Sequence, residues 1–199
     1  MKLAVLLSGR GSNFEAIHAA IESGRLNATI VAVISNKADA RGLARARELG
    51  LPAHAFAHRD YPTREAHEDD VLRVLAEANP DFIALAGYMR LLSPAFVAAF
   101  PHRILNIHPS LLPSFPGVDA QAQAVAYGVK VSGCTVHFVD ENLDAGPILV
   151  QRTVEVREDD DASTLAARIL GEEHDAYVEA LVKLSRGGHR IEGRRVIFV

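Results

Sequence analysis

Hydrophobic runs alternate with helical patterns along most of the chain. Residues 2–7 form a short aliphatic run, and a glycine-rich turn separates it from a helical pattern over about 13–23. A second aliphatic run covers 29–34, and a second helical pattern covers 41–49 and is closed by Gly50. Residues 53–56 read as a short strand, and 63–77 as a long helix that stops before Pro80. Residues 82–86 and 103–107 read as further strands, with an apolar segment over 92–100 between them.

Beyond the loop through Pro116 and Gly117, the pattern changes. A short helix over about 121–126 leads into two extended runs, 129–139 and 148–156, joined by a polar turn at 140–146. Alternation of polar and apolar residues in these runs predicts antiparallel pairing, each strand having one covered face. A helix over about 163–185 follows, with Asp159, Asp160 and Asp161 placed to complement its positive end, and Gly187 and Gly188 close it. The succession predicts an α/β fold. It is a single-domain, open, mostly parallel sheet of Rossmann-like type, with helices on both faces and an antiparallel C-terminal portion. No linker, repeat or low-complexity segment is visible.

Composition narrows the class. A length of 199 residues suits one domain, and 49% hydrophobic with 23% charged residues is enough for a real core. Lys and Arg number 21 against 25 Asp and Glu, a net charge of −4, which argues against nucleic acid as the main partner. The longest apolar run, at 30–34, is far short of the roughly 18 residues of a membrane span. Arg10, Asn13 and Glu15 follow the first apolar run too soon for a signal-peptide core. The single cysteine, Cys134, excludes an internal disulfide. The expectation is a cytoplasmic monomer or homodimer with small-molecule partners, no nucleic acid and no membrane.

The glycine-rich turn Ser8-Gly9-Arg10-Gly11-Ser12-Asn13 lies between the first strand and the first helix. Glycines there let backbone N–H groups face an anion at a helix N-terminus. The same residues also suit a plain tight turn capped by Ser12 or Asn13. A dinucleotide is disfavoured, because Phe14 replaces the third fingerprint glycine and strand two ends in Ser35-Asn36-Lys37 without an acid. No Gly-Lys-Ser or Gly-Lys-Thr makes a P-loop, so one phosphate monoester suits the turn better.

Asn106-Ile107-His108-Pro109 falls at the C-terminal end of a predicted strand, where open α/β sheets place ligands. Residues two apart on a strand share a face, so Asn106 and His108 can address one substrate atom. An amide donor beside an imidazole suits acyl transfer through a developing oxyanion. No serine, cysteine or lysine sits in a nucleophile motif, so direct transfer between two bound substrates is the natural reading.

Asn-Ile-His-Pro-Ser-Leu-Leu-Pro at 106–113, followed by Phe115-Pro116-Gly117, resembles the motif of the folate-dependent formyltransferases. Gly87-Tyr88-Met89-Arg90 and the run from Asp140 through Pro147 match that family in the same order, as does Gly11-Ser12-Asn13. The resemblance covers nearly the whole chain and points to the members that act on glycinamide ribonucleotide. It implies formyl transfer from 10-formyltetrahydrofolate, as co-substrate and without a metal, to the amino group of that ribonucleotide. Asn106 and His108 would stabilise the tetrahedral oxyanion and manage the proton, and Asp144 would hold His108 and favour its charged form.

By the same resemblance, the ribonucleotide would be held by Gly11, Ser12 and Asn13 together with Leu170, Gly171, Glu172 and Glu173. The folate would meet Met89, Arg90, Leu91 and Leu92, Asn106, and the loop of Asp140, Glu141, Asn142, Leu143 and Asp144, with Arg64 paired to its glutamate tail. The phosphate-binding half would be N-terminal and the folate-binding half C-terminal, with the site between them. Glu173 also stands out from pattern alone: Ala166, Leu170, Tyr177, Leu181 and Leu184 form an apolar stripe on the last helix, and Glu173 lies on it. An acid on a buried face needs a partner, and both a local ion pair and a ligand meet that need.

His137, on the strand leading to the 140–144 loop, fits both a core histidine and a residue lining the site. The remaining histidines read as surface or packing residues, including His54 and His58, whose helical spacing falls around a predicted strand. Some relatives carry lysine at the position of Ser114 and histidines at those of Asp119 and Gln121, so no auxiliary proton role is assigned to that loop. Hydrolases of formyltetrahydrofolate carry an extra N-terminal regulatory domain, and formyltransferases acting on initiator tRNA a C-terminal RNA-binding domain. The length of the chain is read as leaving room for neither. A non-catalytic nucleotide-binding module is the remaining alternative, since fold alone does not fix function.

Overall fold

Strand β1, Lys2–Leu7, is buried from Leu3 onward, as a strand covered on both faces must be. The structure is a computed structural model that describes residues 1–198, and the chain divides into two compact units. The first unit is Met1–Leu105, and the second begins at Asn106.

In the first unit β1 pairs in parallel with β2 (Thr29–Ser35) on one side and β4 (Phe82–Leu85) on the other. Strand β3 (Ala53–Ala55) adds to β2, also parallel, giving the order β3-β2-β1-β4. Helix α1 (Ser12–Glu22) buries Phe14, Ile17 and Ala20, and α2 (Arg41–Glu48) buries Leu43 and Ala46. A one-turn helix at His58–Asp60 precedes α3 (Arg64–Ala78), whose Thr63 cap accepts the Ala66 N–H at 3.1 Å. The apolar segment over 92–100 is helix α4 (Pro94–Ala99), started by a Ser93 cap and a first-turn proline. Strand β5, Ile104–His108, carries the chain into the second unit.

The second unit follows β5 with α5 (Ala120–Tyr127) and the antiparallel pair β6 (Val131–Phe138) and β7 (Ile148–Glu155). Cys134 stands opposite Arg152 and Thr135 opposite Gln151. The pairing matches the expectation, but its stated reason does not hold for β6, which is buried at every position after Val131. Its buried Thr135 is satisfied inside instead. Thr135 Oγ1 accepts the Leu112 N–H at 3.0 Å and donates to the Ser110 carbonyl at 2.7 Å.

Helix α6 (Ala162–Ser185) starts in a capping box. Asp161 accepts the N–H groups of Ser163 and Thr164, and Thr164 Oγ1 accepts the Asp161 N–H. Its buried stripe is Leu165, Ile169, Ala176, Tyr177, Ala180, Leu181 and Leu184. The expected stripe is therefore shifted in the first half of the helix: Leu165 and Ile169 are buried beside Ala166 and Leu170, and Ala166, Leu170 and Glu173 are half-buried. The sequence pattern also missed a final antiparallel hairpin, β8 (His189–Glu192) and β9 (Arg195–Phe198). Each strand is only four residues long and half-covered, too short to show a period-two signal.

Candidate active site

Each unit carries part of the predicted machinery. In the first, the turn after β1 brings Gly11 to φ +81°, and Gly11 occupies the cap position of α1. Ser12 and Asn13 lie inside the first helical turn, so neither is the cap. Gly11 has no side chain with which to cap this helix end, and the N-terminus of a helix is a general place for an anion. Gly42, in α2, packs directly on the turn: its N–H donates to the Gly9 carbonyl at 3.0 Å. A Cβ on Gly42 would stand 3.0 Å from Gly11 Cα, and one on Gly11 2.7 Å from Gly42 Cα. Two glycines meeting without side chains are what lets the turn lie so close to α2.

The segment of Met89, Arg90, Leu91 and Leu92 follows β4 through Gly87, at φ +76°. Met89 and Leu91 are 78% and 67% exposed, while Tyr88 is buried beside them. Burial pushes the Tyr88 hydroxyl well above the ordinary phenol range. Arg64, the first residue of α3, is half-buried with its guanidinium 3.5 Å from Glu65.

In the second unit the strand end delivers Asn106 and His108 as expected. His108 Nδ1 lies 3.4 Å from Asp144 Oδ2, and His108 Nε2 lies 2.8 Å from the Phe115 carbonyl oxygen. Both side chains of the pair are nearly enclosed, at 6% and 8% exposure. Both imidazole nitrogens thus face oxygen acceptors, an arrangement that a doubly protonated ring satisfies completely. Asp144, at φ +50°, also accepts the Gly117 N–H through Oδ2 at 2.8 Å.

His137 belongs to this group. Its Nδ1 donates to the Phe138 carbonyl at 2.9 Å, so Nε2 presents its lone pair to Asn106 Nδ2 at 3.4 Å. Burial lowers its pKa and keeps it neutral. The same Nε2 is 3.8 Å from Asp144 Oδ1. His137 fixes which end of the Asn106 amide points inward, a role that its position on a strand did not reveal. The carboxylate loop closes tightly behind Asp144: Asp140 accepts the Asn142 N–H at 2.8 Å, and Glu141, Asn142 and Leu143 are exposed.

On α6, Leu170 is half-buried, Gly171 exposed, and Glu172 pairs with Arg152 at 3.2 Å. Glu173 is half-buried near Cys134, whose thiol burial pushes up to about 12, with Glu173 adding to the effect. His58 is engaged with Asn36, and among the described residues no group of three or more metal-ligating side chains converges. No helix among the described residues is long and apolar enough to cross a membrane.

The chain belongs to the formyl transferase family, whose sequence pattern matches residues 1–181. It is an enzyme fold of that family. The chain is 39% identical to the phosphoribosylglycinamide formyltransferase of Escherichia coli (strain K12), over 98% of this chain and 96% of that protein. It is also 47% identical to the trifunctional purine biosynthetic protein adenosine-3 of Drosophila pseudoobscura pseudoobscura over 95% of its own length, but spans 14% of that protein. Among solved structures it is similar to glycinamide ribonucleotide transformylase 1 from Symbiobacterium toebii, with a TM-score of 0.96 and 47% identity over 100% of this chain and 94% of that one.

Proposed function

We propose that the chain transfers the formyl group of 10-formyltetrahydrofolate to the amino group of glycinamide ribonucleotide. The observation that carries this reading is the enclosed group of Asn106, His108 and Asp144, an amide donor and an imidazole backed by a fixed carboxylate. The similarity to phosphoribosylglycinamide formyltransferases supports the choice of acceptor.

The substrate amine attacks the formyl carbon, a C–N bond forms, and the carbonyl oxygen becomes an oxyanion. Asn106 spends one amide hydrogen on His137 and keeps the other for that oxyanion. Protonated His108 adds positive charge, balanced by Asp144. Delivery of a proton from Nε2 requires that N–H to exchange the Phe115 carbonyl for a substrate atom. Collapse breaks the bond to folate N10, and the proton lost by the amine ends on that nitrogen, leaving tetrahydrofolate.

The ribonucleotide phosphate is taken by the N–H groups of Gly11, Ser12 and Asn13, with Glu173 and its helix neighbours Leu170, Gly171 and Glu172 on the same substrate. The folate is taken by the backbone at 89–92 and 140–144, with Arg64 toward its glutamate tail. The test is consumption of 10-formyltetrahydrofolate with and without glycinamide ribonucleotide. The expected result is consumption that depends on the ribonucleotide. Equal rates with and without it would replace the transferase by a hydrolase.

A further inference from the structure

Ser8 is 3% exposed and stands where β1 ends and the glycine turn begins. It grips the segment after β4 twice. Its backbone N–H donates to the Gly87 carbonyl at 3.1 Å, and its hydroxyl accepts the Met89 N–H at 2.8 Å. The hydroxyl proton goes to Asn36 Oδ1 at 2.5 Å, so the lone pair aimed at Met89 has a fixed direction.

Asn36 is itself buried and secured. His58 Nδ1 lies 3.0 Å from its carbonyl oxygen and 3.2 Å from its Nδ2, so the imidazole holds it in either tautomer. The far end of the segment is tied in the same manner: the Ser93 N–H donates to Oε1 of buried Glu68 at 2.9 Å. Between these anchors the side chains of Met89 and Leu91 stand in solvent. Buried Tyr88 and the two backbone ties therefore set where the segment lies.

We infer that Ser8 is a positioning residue shared by both co-substrates, one hydroxyl setting the folate-binding backbone at Met89 from the root of the phosphate-binding turn. The inference rests on the assignment of the two segments under Proposed function. A displacement of the turn is transmitted to the Met89 N–H through this hydroxyl, and the reverse holds equally.

The experiment is steady-state kinetics of Ser8→Ala and Ser8→Cys against both substrates, with melting curves to confirm folding. Loss of one buried hydrogen bond corresponds to about a tenfold change. Ser8→Ala is therefore expected to raise both KM values about tenfold with kcat within about threefold, since the reacting groups are elsewhere. Ser8→Cys, with a weakly accepting thiol in the same place, should raise both by less. If Ser8→Ala does not fold, Ser8→Cys alone decides. Unchanged KM values, or a rise confined to one substrate, overturn the shared role. Absence of ribonucleotide-dependent turnover in the wild type would instead overturn the functional reading beneath it.

Discussion

Asp144 holds His108 through the same carboxylate oxygen that the backbone holds: Oδ2 lies 3.4 Å from His108 Nδ1 and accepts the Gly117 N–H at 2.8 Å. The amide of Gly117 restrains the carboxylate before it meets the ring, so the imidazole is oriented by a group that is itself fixed.

Removal of the charge without the shape should separate orientation from electrostatics. Asp144→Asn retains an acceptor for Gly117 and loses the negative charge. We expect kcat to fall about 10²–10³-fold, the range typical of losing one preorganised polar group at such a site. Asn106→Ala and His108→Ala should fall at least as far while circular dichroism stays native. Near-wild-type turnover in any of the three removes that residue from the mechanism.

Gly42→Ala tests the turn without touching its residues. The new Cβ would meet Leu7 at 2.9 Å, Gly11 Cα at 3.0 Å and the Arg10 carbonyl at 3.3 Å, so the turn must move away. Ribonucleotide binding should weaken about tenfold, a loss equal to about one hydrogen bond, and tetrahydrofolate binding should weaken in the same direction but by less, through the Ser8 tie to Met89. Isothermal titration with each ligand reads the difference.

Gly146 closes the carboxylate loop against β6. A Cβ there would sit 1.8 Å from the Phe138 carbonyl oxygen, a distance no packing can accept. Gly146→Ala should therefore displace Asp144 and abolish most turnover while ribonucleotide affinity persists. Loss of both together would mean a wider collapse.

His67 and His137 are both buried, and burial lowers both pKa values. The unfolded chain then binds more protons than the folded one once the pH drops below about 6.5, the ordinary histidine value. Stability should be full above that point and decline on acidification, by at most about 1.4 kcal/mol per pH unit for each group. His67→Gln keeps a donor for the Phe56 carbonyl, now held by His67 Nε2 at 3.0 Å. Urea midpoints at pH 7.5 and 5.5 should differ less in this variant; an undiminished difference would refute the assignment.

Glu173→Gln should weaken ribonucleotide binding and leave tetrahydrofolate binding unchanged. Equal ribonucleotide affinity in the variant would reduce Glu173 to a packing residue beside Cys134.

Much of this was readable in the residues. Short aliphatic runs such as 2–7 and 29–34, each followed by turn residues, read as buried strands, and Asp161 stands where acids precede a helical pattern, whereas the Ser93 cap was hidden in what reads as an apolar segment. Asn106 and His108 were visible because a strand end imposes a two-residue period. The role of His137 was not, because a neutral buried histidine and a ligand-facing one occupy the same strand position. Only the 2.9 Å contact to the Phe138 carbonyl fixes its tautomer, and with it the direction of the Asn106 amide. The stripe carrying Glu173 has the right helical period, but packing covers the Leu165 and Ile169 side of α6 in its first half, which sequence periodicity alone does not reveal, and Glu173 is half-buried there.

The hairpin of β8 and β9 lies past residue 181, where the match to the family ends, and meets β7 in parallel register with Ile148 opposite Arg195. Its turn places exposed Gly193 at φ +59°. That turn is the natural place to graft a fluorophore or an affinity peptide. Such an addition would report on the chain while sparing every side chain proposed here to meet a substrate.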